Sequence, residues 1–335
     1  MGNMQEALRL FQWGKESTRG TAVPATSQLA VVKLDIEPTD LMERPALARG
    51  LITMYPGNET VVARGAKWST GQTPLTYEQL PNWCSMAIKG GVSPTGVGPY
   101  VYTYAHSLTA DPAPDTWTLE RRITDGSGPI DYEWAYALAQ KLSFMFAENK
   151  MVMMSAEGFA RRQQSSTLTA AQTMPTVGIP ATADAKVYID SVWGDLGTTQ
   201  VTTQILAAQL DILSGLEPYH SLDARSDKDF VGYKLDPKKV GFDLKLTCAI
   251  AASGQFAAEK TAAEAGTLRA VRIQIPGSSS RDIKFNLLGK HEVPGLYKIG
   301  ELGGLDVVEM HIVSSTDGTN DYSVVCTNNV ASGPL

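Results

Sequence analysis

Four histidines, three cysteines and two pairs of closely set carboxylates are the residues of this 335-residue chain that could do chemistry if they converged. A zinc site asks for closely spaced ligand pairs such as Cys-x-x-Cys. His106, His220, His291 and His311 follow no such spacing, and none lies within five residues of a cysteine. Histidines seated on strands or at the surface are the simpler reading. Cys84, Cys248 and Cys326 are odd in number and far apart, which fits reduced, buried thiols better than a disulfide framework. Asp35 with Glu37, and Asp111 with Asp115, have the spacing of a catalytic dyad or a calcium site, but solvated carboxylates account for both pairs as well. The run Gly90-Gly-Val-Ser-Pro-Thr-Gly-Val-Gly98 has phosphate-loop composition. It follows a helix and precedes a strand, the reverse of the order that aims backbone donors at a phosphate. No Gly-x-Ser-x-Gly elbow anchors hydrolase chemistry. These residues specify no catalytic centre, no cofactor and no metal site, so the chain reads as architecture and not as an enzyme.

Composition points the same way. Hydrophobic residues make up 43% and charged residues 19%, with 30 Gly and 18 Pro to punctuate a strand-rich globular protein of one large or two ordinary domains. The net charge is -6, from 29 basic and 35 acidic residues, with no block of Lys or Arg to grip a phosphate backbone. The apolar runs are far shorter than the roughly 18 residues of a membrane span. The first ten residues lack the basic-then-apolar pattern of a secretory signal, so the chain is expected to be made in a cytoplasm.

The elements are organised around Tyr100 to Arg162, which reads as four antiparallel strands: Tyr100–Tyr104, Thr116–Arg122, Gln140–Phe146 and Met151–Gly158. Period-2 alternation and the turns Asp111–Asp115, Asp125–Gly128 and Asn149-Lys150 carry that reading. Upstream, Met1 to Trp13 reads as an exposed amphipathic turn or helix. Trp13-Gly-Lys-Glu-Ser-Thr-Arg-Gly-Thr-Ala-Val-Pro-Ala-Thr26 reads as extended loop, and Gln28–Glu37, Arg49–Tyr55 and Val61–Trp68 read as strands. Leu80, Trp83, Cys84, Ala87 and Ile88 fall at i, i+3, i+4, i+7 and i+8, predicting a helix over 76–88 stopped by Gly90-Gly91. Gln163 to Asp184, rich in Ser, Thr, Ala and Pro, reads as a linker. All six tryptophans lie at or before position 193. They fill a core or a subunit interface, or form a sugar-binding platform.

Past the linker the order repeats. Strands at Val187–Asp190, Thr199–Leu213 and Phe242–Ile250 lead to an Ala/Glu helix at Phe256–Ala265. Leu268–Ile275, Asp282–Leu288, Leu305–Ile312 and Tyr322–Cys326 then take the places of the four strands of the first half. The expected fold is mainly β within the α+β range: a tandem pair of antiparallel β-sandwiches or barrels, each with a flanking α-helix. The divisions are an N-terminal arm or loop over 1–26, a first sandwich over 27–162, a linker over 163–184 and a second sandwich over 185–335.

Trp13 to Thr26 with its Glu-x-Thr-x-Gly-Thr segment, Tyr100–Tyr104 followed by Asp115-Thr-Trp-Thr-Leu-Glu120, and Gln140–Phe146 before Met151–Gly158 together resemble the major tail tube proteins of long-tailed, siphovirus-like bacteriophages. The resemblance covers much of the chain, through strand patterns more than fixed residues. It implies two tail-tube-type sandwiches, and a virion protein assembled in the host cytoplasm into stacked rings. Those rings form the hollow tube for DNA ejection, with DNA sliding through unread. It implies self-association, a tape measure protein in the lumen, and contacts with terminator and baseplate proteins. Rings of six sandwiches then need three chains of this length, a pseudo-hexameric trimer; a single large sandwich would need a hexamer. Trp13, Gly14, Lys15, Glu16, Thr18, Arg19 and Gly20 are the expected contacts between rings or subunits. The alternatives are another tail component, a terminator or baseplate hub, or a carbohydrate-binding β-sandwich.

Overall fold

The computed structural model describes residues 9–43, 59–124, 128–170, 172–202, 205–222, 227–249, 254–278, 280–292, 298–302 and 305–331. Strands hold 53% of the residues and helix 8%, so the chain is mainly β. The first half runs β1 (Leu10–Lys15), β2 (Ser27–Gln28), β3 (Asp35–Pro38), β4 (Leu41–Glu43), β5 (Thr60–Ala63), β6 (Ala66–Ser69) and β7 (Thr73–Pro74). Helix α1 (Leu80–Ala87), β8 (Tyr100–Ala105), β9 (Trp117–Thr124), β10 (Pro129–Ala147), β11 (Met153–Ala160) and β12 (Gln164–Ser165) complete it. The second half has β13 (Lys186–Asp190), β14 (Gln200–Val201), β15 (Ile205–Tyr219), β16 (Gly232–Ala249) and α2 (Gly254–Glu264). It closes with β17 (Leu268–Pro276), β18 (Asp282–His291), β19 (Lys298–Leu302), β20 (Leu305–Ser314) and β21 (Tyr322–Asn328).

Among the described residues every pairing between the named strands is antiparallel, and two of these pairings join the halves. β10 pairs with β15 from Lys141↔Leu213 to Ala147↔Ala207, and β8 pairs with β21 from Tyr100↔Asn328 to Ala105↔Ser323. Strand β8 therefore adds to the sheet of the second half, whereas its counterpart by sequence order, β17, pairs with the next strand of its own half. One hydrophobic cluster runs through both halves, with Phe144 of β10 against Phe285 of β18 at 4.7 Å between ring centroids. Hydrogen bonding and packing are continuous across position 163.

Helix α1 sits where the halves meet. Pro81 in its first turn has no N–H to leave unsatisfied. All eight residues are buried, so the stripe predicted from Leu80, Trp83, Cys84 and Ala87 is one face of a helix enclosed on every side. Ser85 is bonded at both its side chain and its backbone: Ser85 Oγ donates to the Asn82 carbonyl at 2.8 Å, and the Ser85 carbonyl accepts the Asp115 N–H at 2.9 Å.

Several local expectations change. Trp13 to Thr26 is not wholly loop, because Leu10–Lys15 is inserted between β2 and β9 as a sheet strand. The exposed arm expected at Met1–Trp13 lies outside the described residues up to position 8; beyond it, Phe11 and Trp13 are buried in the chain's own core. Gln28–Glu37 is interrupted, since the Gln79 side chain and the Thr73 hydroxyl take the Ala30 and Val32 N–H groups that a strand partner would need. Val61–Trp68 and Thr199–Leu213 each split in two. The strand expected at Arg49–Tyr55 lies outside the described residues.

The segment expected to be a linker is a strap. Glu120 accepts the Thr169 N–H and hydroxyl at 2.9 and 2.6 Å, and Asp131 accepts the Leu168 N–H at 3.0 Å. Glu78 accepts the Gly178 N–H at 2.7 Å. Buried Glu78 and Glu120 and half-buried Asp131 on the first half thus hold a polar segment that has little apolar surface of its own.

Candidate assembly surface

The Trp13–Gly20 segment is built around one carboxylate. Glu16 is buried; its Oε1 accepts the Tyr136 N–H at 2.7 Å and the Thr118 hydroxyl at 3.2 Å, and its Oε2 accepts the Gly20 N–H at 2.6 Å. A carboxylate without a cation is tolerated in the interior when N–H and O–H donors fill its lone pairs. The acceptor closes Glu16–Gly20 into a turn, tightened by the Thr21 N–H to the Thr18 carbonyl at 3.0 Å. Gly20 has φ 75°, and a Cβ there would lie 2.4 Å from the Arg161 guanidinium and 2.8 Å from the Tyr136 ring, so only glycine fits.

Tyr136 is the other half of this junction. It sits mid-strand at φ 59°, a left-handed conformation that a bulky residue takes only when its surroundings compel it. Register shifts between Trp134 and Ala137, and the bulge re-aims β10: its first part pairs with β9 and β12, its second with β11 and β15. Glu16 fixes the Tyr136 N–H, while the Arg161 guanidinium lies 5.1 Å over the ring and donates to the Gly20 carbonyl at 2.9 Å. Phe230 meets the same ring edge-on at 5.1 Å.

The turn also reaches the second half. Arg19 lies 5.2 Å over the Tyr233 ring of β16 and donates to the Pro114 carbonyl at 3.3 Å. The Tyr233 hydroxyl donates to Asp111 at 2.8 Å. Burial, then the hydrogen bond to Asp111, pushes the Tyr233 phenol up to about 12. Lys15 pairs with Asp115 at 2.8 Å, and Asp115 also accepts the Gly91 N–H, so the carboxylates of the 111–115 loop serve as braces.

Of the seven residues expected from sequence, all but Thr18 have side chains or close backbone approaches engaged inside their own chain. Trp13 donates its indole N–H to Ser27 at 2.9 Å and packs 4.8 Å from both Trp83 and Trp117. Gly14 lets the Pro24 carbonyl approach to 2.5 Å of where a Cβ would stand. Glu16 and Gly20 form the turn described above. Thr18 and Arg19 are exposed, and Lys15 is half-buried in its pair with Asp115. The tryptophans at 13, 68, 83, 117 and 134 are all buried, so they form core and not an exposed sugar platform.

A second feature carried no signal in the sequence. Strands β4 and β5 pair only with each other among the described residues, from Leu41↔Ala63 to Glu43↔Thr60. They expose Leu41 (56%), Met42 (45%) and Val62 (39%). The base of this ribbon is tied down where the Arg64 N–H donates to the Lys228 carbonyl at 2.9 Å. Among the described residues strands β3 and β14 each pair on one side only, and the outer side of β8 meets only an isolated bridge from Thr95 to Val101, leaving edges on the sheet.

The remaining candidate chemistry is dispersed. His106 meets Asp321 at 3.1 Å and stacks on Tyr322, His291 meets Glu259 at 3.1 Å, and His311 lies between Asp243 and Glu292. Asp35 and Glu37 line an open groove of about 380 Å³ with Lys67, Ser69, Gln140 and Glu157. Among the described residues no three His, Cys, Asp or Glu side chains group as metal ligands, and no helix is long and apolar enough to cross a membrane. No protein-family model matches the sequence, and no curated protein matches it.

Proposed function

We propose that this chain is a structural virion protein that self-associates into stacked rings, the hollow tail tube of a long-tailed bacteriophage. The observation that carries the reading is the β4–β5 ribbon, whose apolar side chains stand in water on an element too small to be stable by itself. A second copy of the chain offers the cover it lacks. Sheet edges at β3, β8 and β14 supply unpaired backbone groups that neighbouring copies can complete.

In this reading each half contributes one tail-tube-type unit and three chains close a pseudo-sixfold ring; six chains close it if the fused halves count as one unit. Lys15, Thr18 and Arg19 face neighbouring copies. The tube's other contacts are a tape measure protein within and terminator and baseplate proteins at its ends. A net charge of -6 leaves passing DNA ungripped.

Negative-stain electron microscopy of the purified chain tests this. Rings or tubes with threefold averages are expected. Six chains per ring would correct the stoichiometry, and a monodisperse monomer at every concentration would sink the proposal.

A further inference from the structure

The three cysteines are equivalent in sequence but not in the fold. All are buried and free. Cys248 lies on β16 between Ile205 and Val308 of the flanking strands. Cys84 on α1 and Cys326 on β21 instead lie fully buried in the shared core where α1 packs against β21, close enough for their thiols to influence each other. They belong to opposite halves, and they meet where α1 rests on the seam formed by β8 and β21, with Tyr102 directly opposite Cys326.

We propose that Cys84 and Cys326 are a latent intrachain disulfide, a covalent staple between the two halves that closes on oxidation. The chemistry balances with a small-molecule disulfide as oxidant. The Cys84 thiolate attacks one sulfur of the reagent and expels a thiolate. The Cys326 thiolate then attacks the mixed disulfide at Cys84 and expels the second. Two protons pass to water, and two electrons pass from the cysteine pair to the reagent.

Two phenols lie within electrostatic range of Cys84. The hydroxyls of Tyr104 and Tyr322 are buried without a hydrogen-bond partner in the protein, which leaves O–H donors available to a thiolate formed there. Burial pushes the Cys84 thiol well up, so this thiol stays protonated and inert in the closed molecule and attacks when α1 opens from the seam. The closed bond would span a loop of about 240 residues, the regime in which a cross-link constrains the unfolded chain most. The inference is independent of the tail-tube reading.

The test incubates the full-length chain with oxidised glutathione in urea just below the unfolding transition, followed by thiol titration and peptide mapping. Free thiols should fall from three to one. The linked peptides should contain Cys84 and Cys326, and the urea midpoint should rise above that of the reduced chain. Cys248→Ser should give the same cross-link, and Cys84→Ala and Cys326→Ala none. Three persisting thiols, a cross-link involving Cys248, or a midpoint that falls on closure would each overturn the proposal.

Discussion

Two hairpins of this molecule are made of similar residues and treated in opposite ways. The β15–β16 hairpin pairs from Ile205↔Cys248 to Tyr219↔Gly232, is flanked by β10 and β20, and buries Leu210, Ile212, Leu244 and Leu246. The β4–β5 ribbon joins no other described strand and keeps Leu41, Met42 and Val62 in contact with water. A lone two-stranded hairpin is marginal in water, because its apolar residues find too little to pack against. The first hairpin therefore holds the fold together. The second contributes little to it and retains apolar surface that association can bury.

The largest expected effect separates these roles directly. Leu244→Ala should destabilise the monomer by about 3 to 4 kcal/mol, as large-to-small changes at fully buried sites do. Leu41→Ala should change monomer stability by less than about 0.5 kcal/mol. Under the proposed function it should nonetheless abolish rings on microscopy grids. If Leu41→Ala destabilised the monomer as much as Leu244→Ala in urea titrations, the contrast between the hairpins would be lost.

Next in size is Glu16→Ala. It leaves the buried N–H of Tyr136 and the partly buried N–H of Gly20 without this acceptor, which costs about 2 to 4 kcal/mol for the pair. It also frees the strained bulge that seats Phe230 and the lower half of the β15–β16 hairpin. Hydrogen exchange should rise at Tyr219 and Gly232 more than at Leu210 and Leu244, which sit on the β10-supported part. Uniform exchange along the hairpin would remove the bulge from the account.

How much of this was legible in the sequence depends on the reach of each interaction. Strands such as Tyr100–Ala105 and Tyr322–Asn328 follow from alternation within the segment, and α1 follows from the spacing of Leu80, Trp83, Cys84 and Ala87. The pairing of β8 with β21 joins segments at opposite ends of the chain and has no local signature. The strap has no local signature, because Ser, Thr and Pro composition shows what a segment cannot pack, not that Glu120 and Glu78 elsewhere hold its backbone. Lys15, Glu16, Arg19 and Gly20 were marked, but their partners Tyr136, Arg161 and Tyr233 were not, since nothing in the neighbourhood of a tyrosine announces a left-handed backbone. Leu41, Met42 and Val62 read as ordinary apolar residues; only burial distinguishes them.

A pH measurement probes the outer half of the built-in hairpin. The Tyr233 phenol is raised from 10 to about 12 by burial and by Asp111. The unfolded chain therefore gives up this proton at lower pH than the folded one. The stability it contributes is fully present below pH 10 and is lost as the pH rises from about 10 to 12, with a slope well under the ~1.4 kcal/mol per pH unit of a fully buried group, because solvent screens this partly exposed phenol. Tyr233→Phe should remove that part of the alkaline slope; an unchanged slope would show that the phenol does not titrate differently in the two states.

Arg19→Ala should have the smallest effect on stability and the most specific one on titration. An exposed cation over an aromatic ring contributes about 0.5 to 1 kcal/mol, so the urea midpoint should barely move. The guanidinium lowers the Tyr233 phenol against the larger effects of burial and Asp111. Its removal should therefore move the phenolate absorbance transition of Tyr233 to higher pH, by a shift read as the difference between Arg19→Ala and the Arg19→Ala/Tyr233→Phe double variant. A transition moved to lower pH would mean that Arg19 does not lie over this ring in solution. The Glu16 turn would then be anchored to the first half alone, and the two hairpins would differ only in how deeply each is packed.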